Sequence, residues 1–406
     1  MAPVAEELFR RVPEFGEPSL GVAIHWADPK DILSVLFILG GDLVEHAFAQ
    51  LVGTPVPPVA FSFGCVSYGL NAVVSAIGKN RLMPDTDHPC KIINGETGTS
   101  FDNTSWVLGR LLRDHDYWKH KDVHDHLKDK ITRKWDQMKL DSITTHGTCA
   151  NVRRPKKAGL CVSIYKAKEE CLGRPKRDKF DYSGMLTTLL QLLLSAVPLI
   201  REGDWSPFLT TLSGSLLSII SGCLRQWRRE KWPCCANSEK TVVLTKGAGC
   251  QHAIVIIGDG RGFDLEEMAV GSEERDLPCD IFTRVAVFIL AVLWVLLVIF
   301  AAGLKTNAWY VITAGGMGTI QNAYVVGGKR TPESFGLPLE FLDVIGEIGV
   351  MDTLLAVEEK YPNLGSNMVS TFFPDGQMTE EYHLKWEALR ARAALQGGKP
   401  RRSQTI

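Results

Sequence analysis

The sequence predicts a membrane all-α bundle, with six transmembrane helices in three hairpins and a small cytosolic α+β module. Three observations support this fold class. The apolar residues are clustered, although the mean hydropathy is +0.00 and charged residues make up 22% of the chain. The clusters form six apolar stretches that come in pairs, and basic residues gather at one end of these stretches. The net charge of -1 gives no indication of a nucleic-acid partner.

The six apolar stretches are residues 32–52, 59–77, 185–200, 208–224, 285–304 and 308–326. A helix of about 20 apolar residues crosses the hydrocarbon core of a bilayer, so each stretch is predicted to span it. The fifth stretch is the most apolar, because Trp294 is its only residue whose side chain bears a polar atom. We therefore expect that helix to face lipid. The short links within each pair predict antiparallel hairpins.

The distribution of basic residues predicts the orientation of the hairpins. Only Arg201 and Lys305 lie near the hairpin tips, whereas the opposite ends carry Lys79, Arg81, Arg174, Lys176, Arg177, Lys179, Arg225, Arg228, Arg229, Lys231, Lys329 and Arg330. Because Lys and Arg are retained on the cytoplasmic face, the tips are predicted to point outward and both termini to be cytosolic. The alternative is five spans, with the first helix lying in the membrane interface.

These boundaries divide the chain into seven segments. They are a cytosolic N-terminal segment (1–31), a first hairpin (32–77), a cytosolic α+β segment (79–182), a second hairpin (185–224), a cytosolic β-hairpin segment (226–281), a third hairpin (285–326) and a cytosolic C-terminal part (327–406). The N-terminal segment shows no secretory signal, so the first span is expected to direct its own insertion. The ten cysteines show no disulfide framework and are expected to be reduced thiols in the cytosol.

The cytosolic segments contain both strand and helix patterns. Short β-prone runs occupy residues 90–94 and 161–165, and residues 240–246 and 252–257 predict a hairpin around a glycine-rich turn. One long helix is predicted from an N-cap within residues 102–106 to residue 139. Two amphipathic helices are predicted in the C-terminal part, at residues 339–360 and 379–395, followed by a disordered tail at 397–402.

The first predicted span carries an unusual polar face, and the second offers polar partners for it. The residues of this candidate intramembrane cluster are Asp42, Glu45, His46, Gln50 and Asn71. The first four share one helix face, and each charge at bilayer depth costs about 2.5–3.5 kcal/mol. Two interpretations remain open, namely a structural polar contact between the hairpin helices and a path for an ion or proton.

Small residues recur at four-residue spacing in the later spans, at Gly214, Ser218 and Gly222 and again at Ala314 and Gly318. This spacing predicts close approach of neighbouring helices. Near the end of the sixth span, Gln321 and Asn322 are expected to form hydrogen bonds between helices, with substrate contact as the alternative.

Two further groups are candidates for chemistry. His115, Asp116, His120, His124 and His126 include the i, i+4 spacing of a metal-binding helix face, although a solvated helix is the favoured interpretation. Cys234 and Cys235 follow a basic and aromatic interfacial segment, where S-palmitoylation occurs, although ordinary thiols are favoured. The glycine-rich stretches 247–249 and 258–262 lack the P-loop pattern and are predicted to be turns. No metal or cofactor is expected.

Seven blocks of the sequence together carry a resemblance. They are residues 24–29 (IHWADP), 61–64 (FSFG), 105–110 (SWVLGR), 203–205 (GDW), 226–232 (QWRREKW), 251–255 (QHAIV) and the pair 350–354 (VMDTL) and 358–362 (EEKYP). As a set they resemble a family of uncharacterised multi-pass membrane proteins from filamentous fungi. The resemblance implies a membrane architecture over nearly the whole chain. It implies no activity, so it assigns no functional residue.

Two functional classes follow from these observations. The first is a non-enzymatic, membrane-anchored scaffold or regulator, whose partners would be the lipid bilayer and a cytosolic protein. The alternative is a transporter or channel that uses the polar face of the first span. An enzyme is disfavoured, because the sequence shows no pairing of a nucleophile with a base and no metal-ligand set.

Overall fold

The computed structural model describes residues 40–146, 152–170, 172–274, 279–304, 307–374 and 379–395. The chain divides into two compact units, each built from three separate stretches of sequence. The helical unit takes in Met1–Leu82, Lys179–Gln226 and Cys279–Gly328. The sheet unit takes in Met83–Asp178, Trp227–Pro278 and Lys329–Ile406.

The described helices, in chain order, are α1 (Gly41–Leu51), α2 (Cys65–Gly78), α3 (Trp106–Arg113), α4 (His115–Trp118), α5 (Lys121–His146), α6 (Lys179–Ser195), α7 (Val197–Glu202), α8 (Ser206–Gly222), α9 (Arg225–Lys231), α10 (Leu265–Glu274), α11 (Ile281–Ala302), α12 (Ala308–Gly327), α13 (Val350–Lys360), α14 (Leu364–Phe372) and α15 (Glu380–Leu395). The described strands are β1 (Lys91–Asn94), β2 (Ser100–Asp102), β3 (Cys161–Ala167), β4 (Ala236–Ser238), β5 (Thr241–Thr245), β6 (His252–Ile257), β7 (Gly262–Phe263) and β8 (Leu339–Ile345).

The prediction of a six-span, all-helical bundle is wrong. Among the described residues, two helices are long and apolar enough to cross a membrane, Lys179–Glu202 (α6 with α7) and Ile281–Ala302 (α11). A third crossing is obtained only if α8 and α9, bent by 44°, count as one span. The remainder of the chain includes a six-stranded sheet.

The other predicted spans fail for separate physical reasons. α1 has 11 residues and α2 has 14, so they reach only about 16 and 21 Å, less than the hydrocarbon thickness of about 30 Å. α12 has 20 residues, but its glycine and amide residues make it too polar for an isolated span. Residues 32–39 of the first predicted span lie outside the described residues.

Side chains of the helical unit are arranged with apolar groups outward and polar groups inward. Exposed positions include Leu189 and Leu193 on α6, Phe288 on α11 and Ile320 on α12. Fully buried positions include Gln191, Ser195, Thr211, Ser218 and Asn322. A water-soluble helical unit would bury the first set and expose the second, so this arrangement on α6, α8, α11 and α12 fits the two helices that are long and apolar enough to cross a membrane.

The sheet unit is larger than the small module that the sequence predicts. Its sheet has six strands in the order β2-β1-β5-β6-β3-β8. The predicted hairpin is confirmed, since β5 and β6 pair antiparallel from Thr241↔Ile257 to Thr245↔Ala253. The predicted strand at residues 161–165 is also confirmed as β3, which pairs parallel with β6.

Helices cover both faces of this sheet. On one face, α13, α14 and α15 supply Leu354, Met368 and Trp386 to a core that includes Val162 and Val255. On the other face, Val123 and Leu127 of α5 pack on Cys161, with Phe341 and Val344 at the border. Since β3 contributes alternate residues to the two faces, its buried, nearly continuous apolar sequence fits a central strand.

Two helix predictions in the sheet unit are wrong. The predicted helix at 339–360 is strand β8 followed by α13, because Leu339–Ile345 pairs with β3 and Gly346 and Gly349 separate the two elements. The predicted continuous helix up to residue 139 is three helices, α3, α4 and α5, interrupted at Asp114 and Lys119. The helix predicted at 379–395 is confirmed as α15, and residues 397–402 lie outside the described part.

Candidate functional site

The candidate polar cluster on the first predicted span lies on α1 and α2 of the helical unit. Asp42 and Asn71 are exposed, Glu45 and His46 are half-buried, and Gln50 is fully buried. The Nδ1 atom of His46 bonds within α1 to the carbonyl oxygen of Asp42 at 2.7 Å. The five residues therefore do not form a single buried site. The structural polar contact and the path for an ion or proton both stay predictions.

A second polar arrangement in the helical unit was not predicted from the sequence. It surrounds residues 59–64. Residues 59–64, predicted to be helical, are buried and belong to no helix or strand; residues 63 and 64 form a turn, and helix α2 begins only at Cys65. We call this non-helical stretch, residues 59–64, the buried extended segment. One feature of the sequence points to this segment. Prolines at positions 55, 57 and 58 oppose a helix immediately before it.

Three helices donate side-chain hydrogen bonds to successive carbonyls of the buried extended segment. Ser218 Oγ on α8 donates to the Val59 carbonyl at 2.9 Å, and Asn322 Nδ2 on α12 donates to the Ala60 carbonyl at 3.1 Å. Gln191 Nε2 on α6 donates to the Phe61 carbonyl at 2.7 Å. A backbone carbonyl buried away from water needs a hydrogen-bond partner, and these three donors supply one to each of the three carbonyls.

Small residues on the same helices make room for the segment. Gly214 lies against the Phe61 ring, Gly315 lies against the Phe63 ring and Gly318 lies against the Phe61 carbonyl, so that an added Cβ atom would overlap each of them. The four-residue spacing of small residues thus does mark a close approach. At Gly214 and Gly318, however, the group that approaches is the buried extended segment and not the neighbouring helix that the spacing predicts.

The donors to the buried extended segment also make further hydrogen bonds within the helical unit. Gln191 Nε2 also lies 2.6 Å from the Ala314 carbonyl, and Asn322 Nδ2 lies 3.0 Å from Ser62 Oγ. Of the two residues predicted to bond between helices, Asn322 bonds the segment, whereas Gln321 Nε2 bonds Ser183 Oγ on α6 at 2.7 Å. These polar side chains therefore serve backbone and side-chain groups of the protein itself.

A second polar cluster lies on the β3–β6 face of the sheet unit. His115 of α4 is buried, and its Nε2 atom lies 3.3 Å from Ser163 Oγ on β3. Its ring is 5.0 Å from the ring of His252 on β6, whose Nε2 atom is 3.6 Å from an oxygen of Asp116. We call His115, His252, Asp116 and Ser163 the imidazole cluster.

Burial decides the protonation of the imidazole cluster. It lowers the pKa of His115 to about 3, and it also lowers the pKa of His252, with Asp116 opposing the second shift. A hydrogen bond from Lys119 lowers the pKa of Asp116. At neutral pH the cluster therefore consists of two neutral imidazoles beside one carboxylate. The two imidazoles act as uncharged packing groups, and the charge is on Asp116.

The other histidines of the predicted metal-binding face follow α4: His120 lies in the break before α5, and His124 and His126 lie on α5. The ring of His120 stacks on Phe341 at 4.3 Å, and His126 Nε2 bonds to the Gly346 carbonyl at 2.9 Å. His124 is exposed. Across the described residues, no group of three or more His, Cys, Asp or Glu side chains is arranged to hold a metal ion.

The candidate acylation cysteines, Cys234 and Cys235, lie immediately before β4 in the sheet unit. Cys234 is half-buried and Cys235 is exposed. The backbone N–H of Cys235 donates to Glu267 Oε2 at 2.6 Å, which fixes the chain at this point. An exposed Cys235 thiol is accessible to modification, and acylation of the pair stays a prediction.

Comparison of the chain with models of protein families, with curated proteins and with solved structures finds no match. The resemblance to the fungal membrane family therefore stays a prediction.

Proposed function

We propose that the chain is a non-enzymatic, membrane-anchored scaffold or regulator whose sheet unit binds a protein partner on the cytosolic side. One observation carries this proposal. A single six-stranded sheet is assembled from three chain segments, and the two stretches that separate these segments each contain a helix able to cross a membrane.

Sheet continuity constrains the number of membrane crossings. Strands β1 and β3 precede the first apolar stretch, β5 and β6 lie between the two, and β8 follows the second. Because hydrogen-bonded strands must lie on one side of a bilayer, each intervening stretch crosses an even number of times. If α6–α7 crosses outward, α8 returns, and if α11 crosses outward, α12 returns.

Two features support returning paths by α8 and α12. The loops at the two predicted tips meet, since Asn307 Nδ2 donates to Glu202 Oε2 at 2.8 Å and to Asp204 Oδ2 at 3.1 Å. The polar faces of α8 and α12 are also turned toward the buried extended segment through Ser218 and Asn322. Inside a bundle, helices too polar to cross alone are tolerated.

The surplus of basic residues beside the inner ends of these helices supports a cytosolic position for the sheet unit and for the C-terminal helix α15, which belongs to it. The cytosolic position of the N-terminus stays a prediction from sequence, because residues 1–39 lie outside the described part. Six predicted spans are thereby replaced by two hairpins and one buried extended segment.

Helix α5 supports the partner-binding part of the proposal. It has 26 residues and is about 39 Å long, but only its first turns pack on the sheet through Val123 and Leu127. Its distal part exposes Leu140 at 64% and Ile143 at 47%, one turn apart on the same side. An exposed apolar stripe of this kind is suited to a helical partner.

A transporter is the second candidate, favoured by one observation. The buried extended segment joins two short helices, α1 and α2, and discontinuous helices of this kind form substrate sites in secondary transporters. The carbonyls of Val59, Ala60 and Phe61 already accept protein hydrogen bonds, which favours a packed structural role.

Ion flux separates the two candidates. The full chain in sealed vesicles should show no proton, sodium or potassium flux above that of protein-free vesicles. A flux that disappears in the Asp42→Asn, Glu45→Gln double variant, with insertion unchanged, would replace the scaffold with a transporter.

Partner binding is tested by site-specific photocrosslinking in cells. A photoreactive residue at Leu140 should give a discrete protein adduct. The same residue at Lys128, which is exposed but lies in the N-terminal half of α5, should give none. The adduct at Leu140 should disappear in an Ile143→Glu background. Absence of any adduct at Leu140, with normal expression, would reject α5 as the binding helix.

A further inference from the structure

Three chain stretches meet at one corner of the sheet unit. The N–H of Gly173 donates to the Gly336 carbonyl at 3.0 Å, and the N–H of Lys176 donates to the Glu333 carbonyl at 3.0 Å. Trp232 Nε1 donates to the Phe335 carbonyl at 3.1 Å. These bonds tie residues 173–178, 227–232 and 329–336 into one surface.

This surface carries an excess of positive charge. Its exposed cations, which we call the basic corner, are Arg174, Lys176, Arg177, Arg228, Arg229 and Lys329. The nearby carboxylates are engaged elsewhere or half-buried: Asp178 pairs with buried Arg330 at 2.6 Å, Glu230 accepts from the Met83 N–H at 2.6 Å, and Glu333 is half-buried. Within the described parts of the chain, no carboxylate forms an ion pair with any of the six cations.

We infer that the basic corner binds the headgroups of anionic phospholipids in the same bilayer that holds the helical unit. This inference rests on the proposed function, because it requires the helical unit to be in a membrane. Unpaired Lys and Arg side chains near an anionic leaflet each contribute about 1 kcal/mol, or roughly fivefold in association. Six of them on one surface form a footprint for several headgroups.

Chain length selects lipid as the occupant. Arg177 lies two residues before α6, and Lys329 lies two residues after α12. At about 3.5 Å per extended residue, these cations lie no more than about 7 Å from a helix end that reaches the membrane surface. That distance is within the Debye length of about 8 Å at physiological ionic strength, so the attraction is only partly screened.

Electron paramagnetic resonance of spin-labelled lipids tests the inference on the full chain in vesicles. Spin-labelled phosphatidylserine should associate with the protein roughly two- to fivefold more strongly than spin-labelled phosphatidylcholine. The Arg174→Gln, Lys176→Gln, Arg177→Gln variant should bring this selectivity close to one. Raising the salt to 0.5 M should do the same in the parent protein.

A matched triple variant provides the control. Arg153, Lys156 and Lys157 are also exposed cations, but they precede β3, whereas the basic corner begins after β3 ends. Their replacement by Gln should leave the selectivity of the parent unchanged. Equal selectivity loss in both triple variants would reduce the effect to net charge and overturn the inference, as would a parent selectivity of one.

Failure of the inference and failure of the proposed function give different results. Resistance of the parent chain to alkaline extraction from the vesicles reports insertion independently of lipid selectivity. Inserted protein without selectivity rejects the basic corner alone, whereas extractable protein rejects the membrane anchor on which the inference depends.

Discussion

The side-chain amide of Gln191 on α6 donates a 2.7 Å hydrogen bond to the carbonyl oxygen of Phe61, 130 positions earlier in the chain. This bond joins a helix long and apolar enough to cross a membrane to the buried extended segment. Since the same Nε2 atom also lies 2.6 Å from the Ala314 carbonyl, one side chain connects three parts of the helical unit.

Replacing Gln191 by Leu should destabilise the helical unit. Leucine has a similar size but donates no hydrogen bond, so the Phe61 carbonyl loses the Gln191 donor, whereas the Ala314 carbonyl lies within α12 and keeps its helix hydrogen bond. We expect a loss of about 1–3 kcal/mol in unfolding free energy. The midpoint of thermal unfolding of the full chain in detergent, followed by tryptophan fluorescence, measures this change.

The exposed residue Leu193 on the same helix provides the control for that variant. Leu193→Ala removes an outward apolar group and should change stability by less than about 0.5 kcal/mol in a detergent micelle. A Gln191→Leu variant as stable as Leu193→Ala would show that the Phe61 carbonyl does not depend on Gln191.

Two glycines of α12, Gly318 and Gly316, give a sharper test of the position of the buried extended segment. A Cβ atom at Gly318 would overlap the Phe61 carbonyl oxygen, whereas one at Gly316 would have only a ring atom of Phe63 at 4.0 Å. Gly318→Ala should therefore displace the segment and abolish folding or reduce stability by several kcal/mol. Gly316→Ala should be neutral or stabilise the helix by up to about 1 kcal/mol.

Yield and thermal unfolding of the two alanine variants, purified in parallel, provide the measurement. If both variants behave like the parent, the segment does not pass next to α12 and the fold of the helical unit is different. If both fail, α12 tolerates no side chain on either face, and the contact with Phe61 is not specific.

The sequence was informative wherever a local pattern determined the structure. Alternation around a glycine-rich turn is enough to identify the hairpin of β5 and β6, because its pairing is local. The small-residue positions Gly214 and Gly318 were also identified, because close approach needs a missing side chain whatever the partner is.

The remainder depended on partners that are distant in sequence. Residues 59–64 are as apolar as a spanning helix, but they are not helical, and their carbonyls accept hydrogen bonds from the distant side chains of Gln191, Ser218 and Asn322. Leu339–Ile345 has a helical pattern too, but antiparallel pairing with β3 overrides it. Hydrophobicity counts could not separate a spanning helix from a buried segment, because both are apolar.

The proposed even number of crossings predicts where impermeant thiol reagents will act. Arg201 and Gly303 are exposed residues at the two tips, and Lys156 is an exposed residue of the sheet unit. With the exposed thiols among the described residues, Cys223 and Cys235, changed to Ser, Arg201→Cys and Gly303→Cys should label from outside intact cells. Lys156→Cys should label only after permeabilisation. Labelling of Arg201→Cys and Lys156→Cys from the same side would contradict the hairpin arrangement.

Stability of the sheet unit should fall as the pH is lowered below neutrality, because of His115. Burial lowers the pKa of this imidazole to about 3, whereas in the unfolded chain it is about 6.5. The unfolded state therefore binds a proton as the pH falls through about 6.5, while the folded state does not. The stability contributed by neutral His115 is fully present above that pH and is lost toward the folded pKa.

The slope of this effect is about 1.4 kcal/mol per pH unit for one histidine, so about 2 kcal/mol is lost between pH 6.5 and 5. His115→Gln keeps a polar group near Ser163 but cannot titrate, so its urea unfolding midpoint should vary less over this range. His124→Gln changes an exposed histidine on α5 and should keep the parent slope. If His115→Gln and the parent show the same pH dependence, His115 is charged in the folded protein, and the imidazole cluster is not the neutral packing element that its burial indicates.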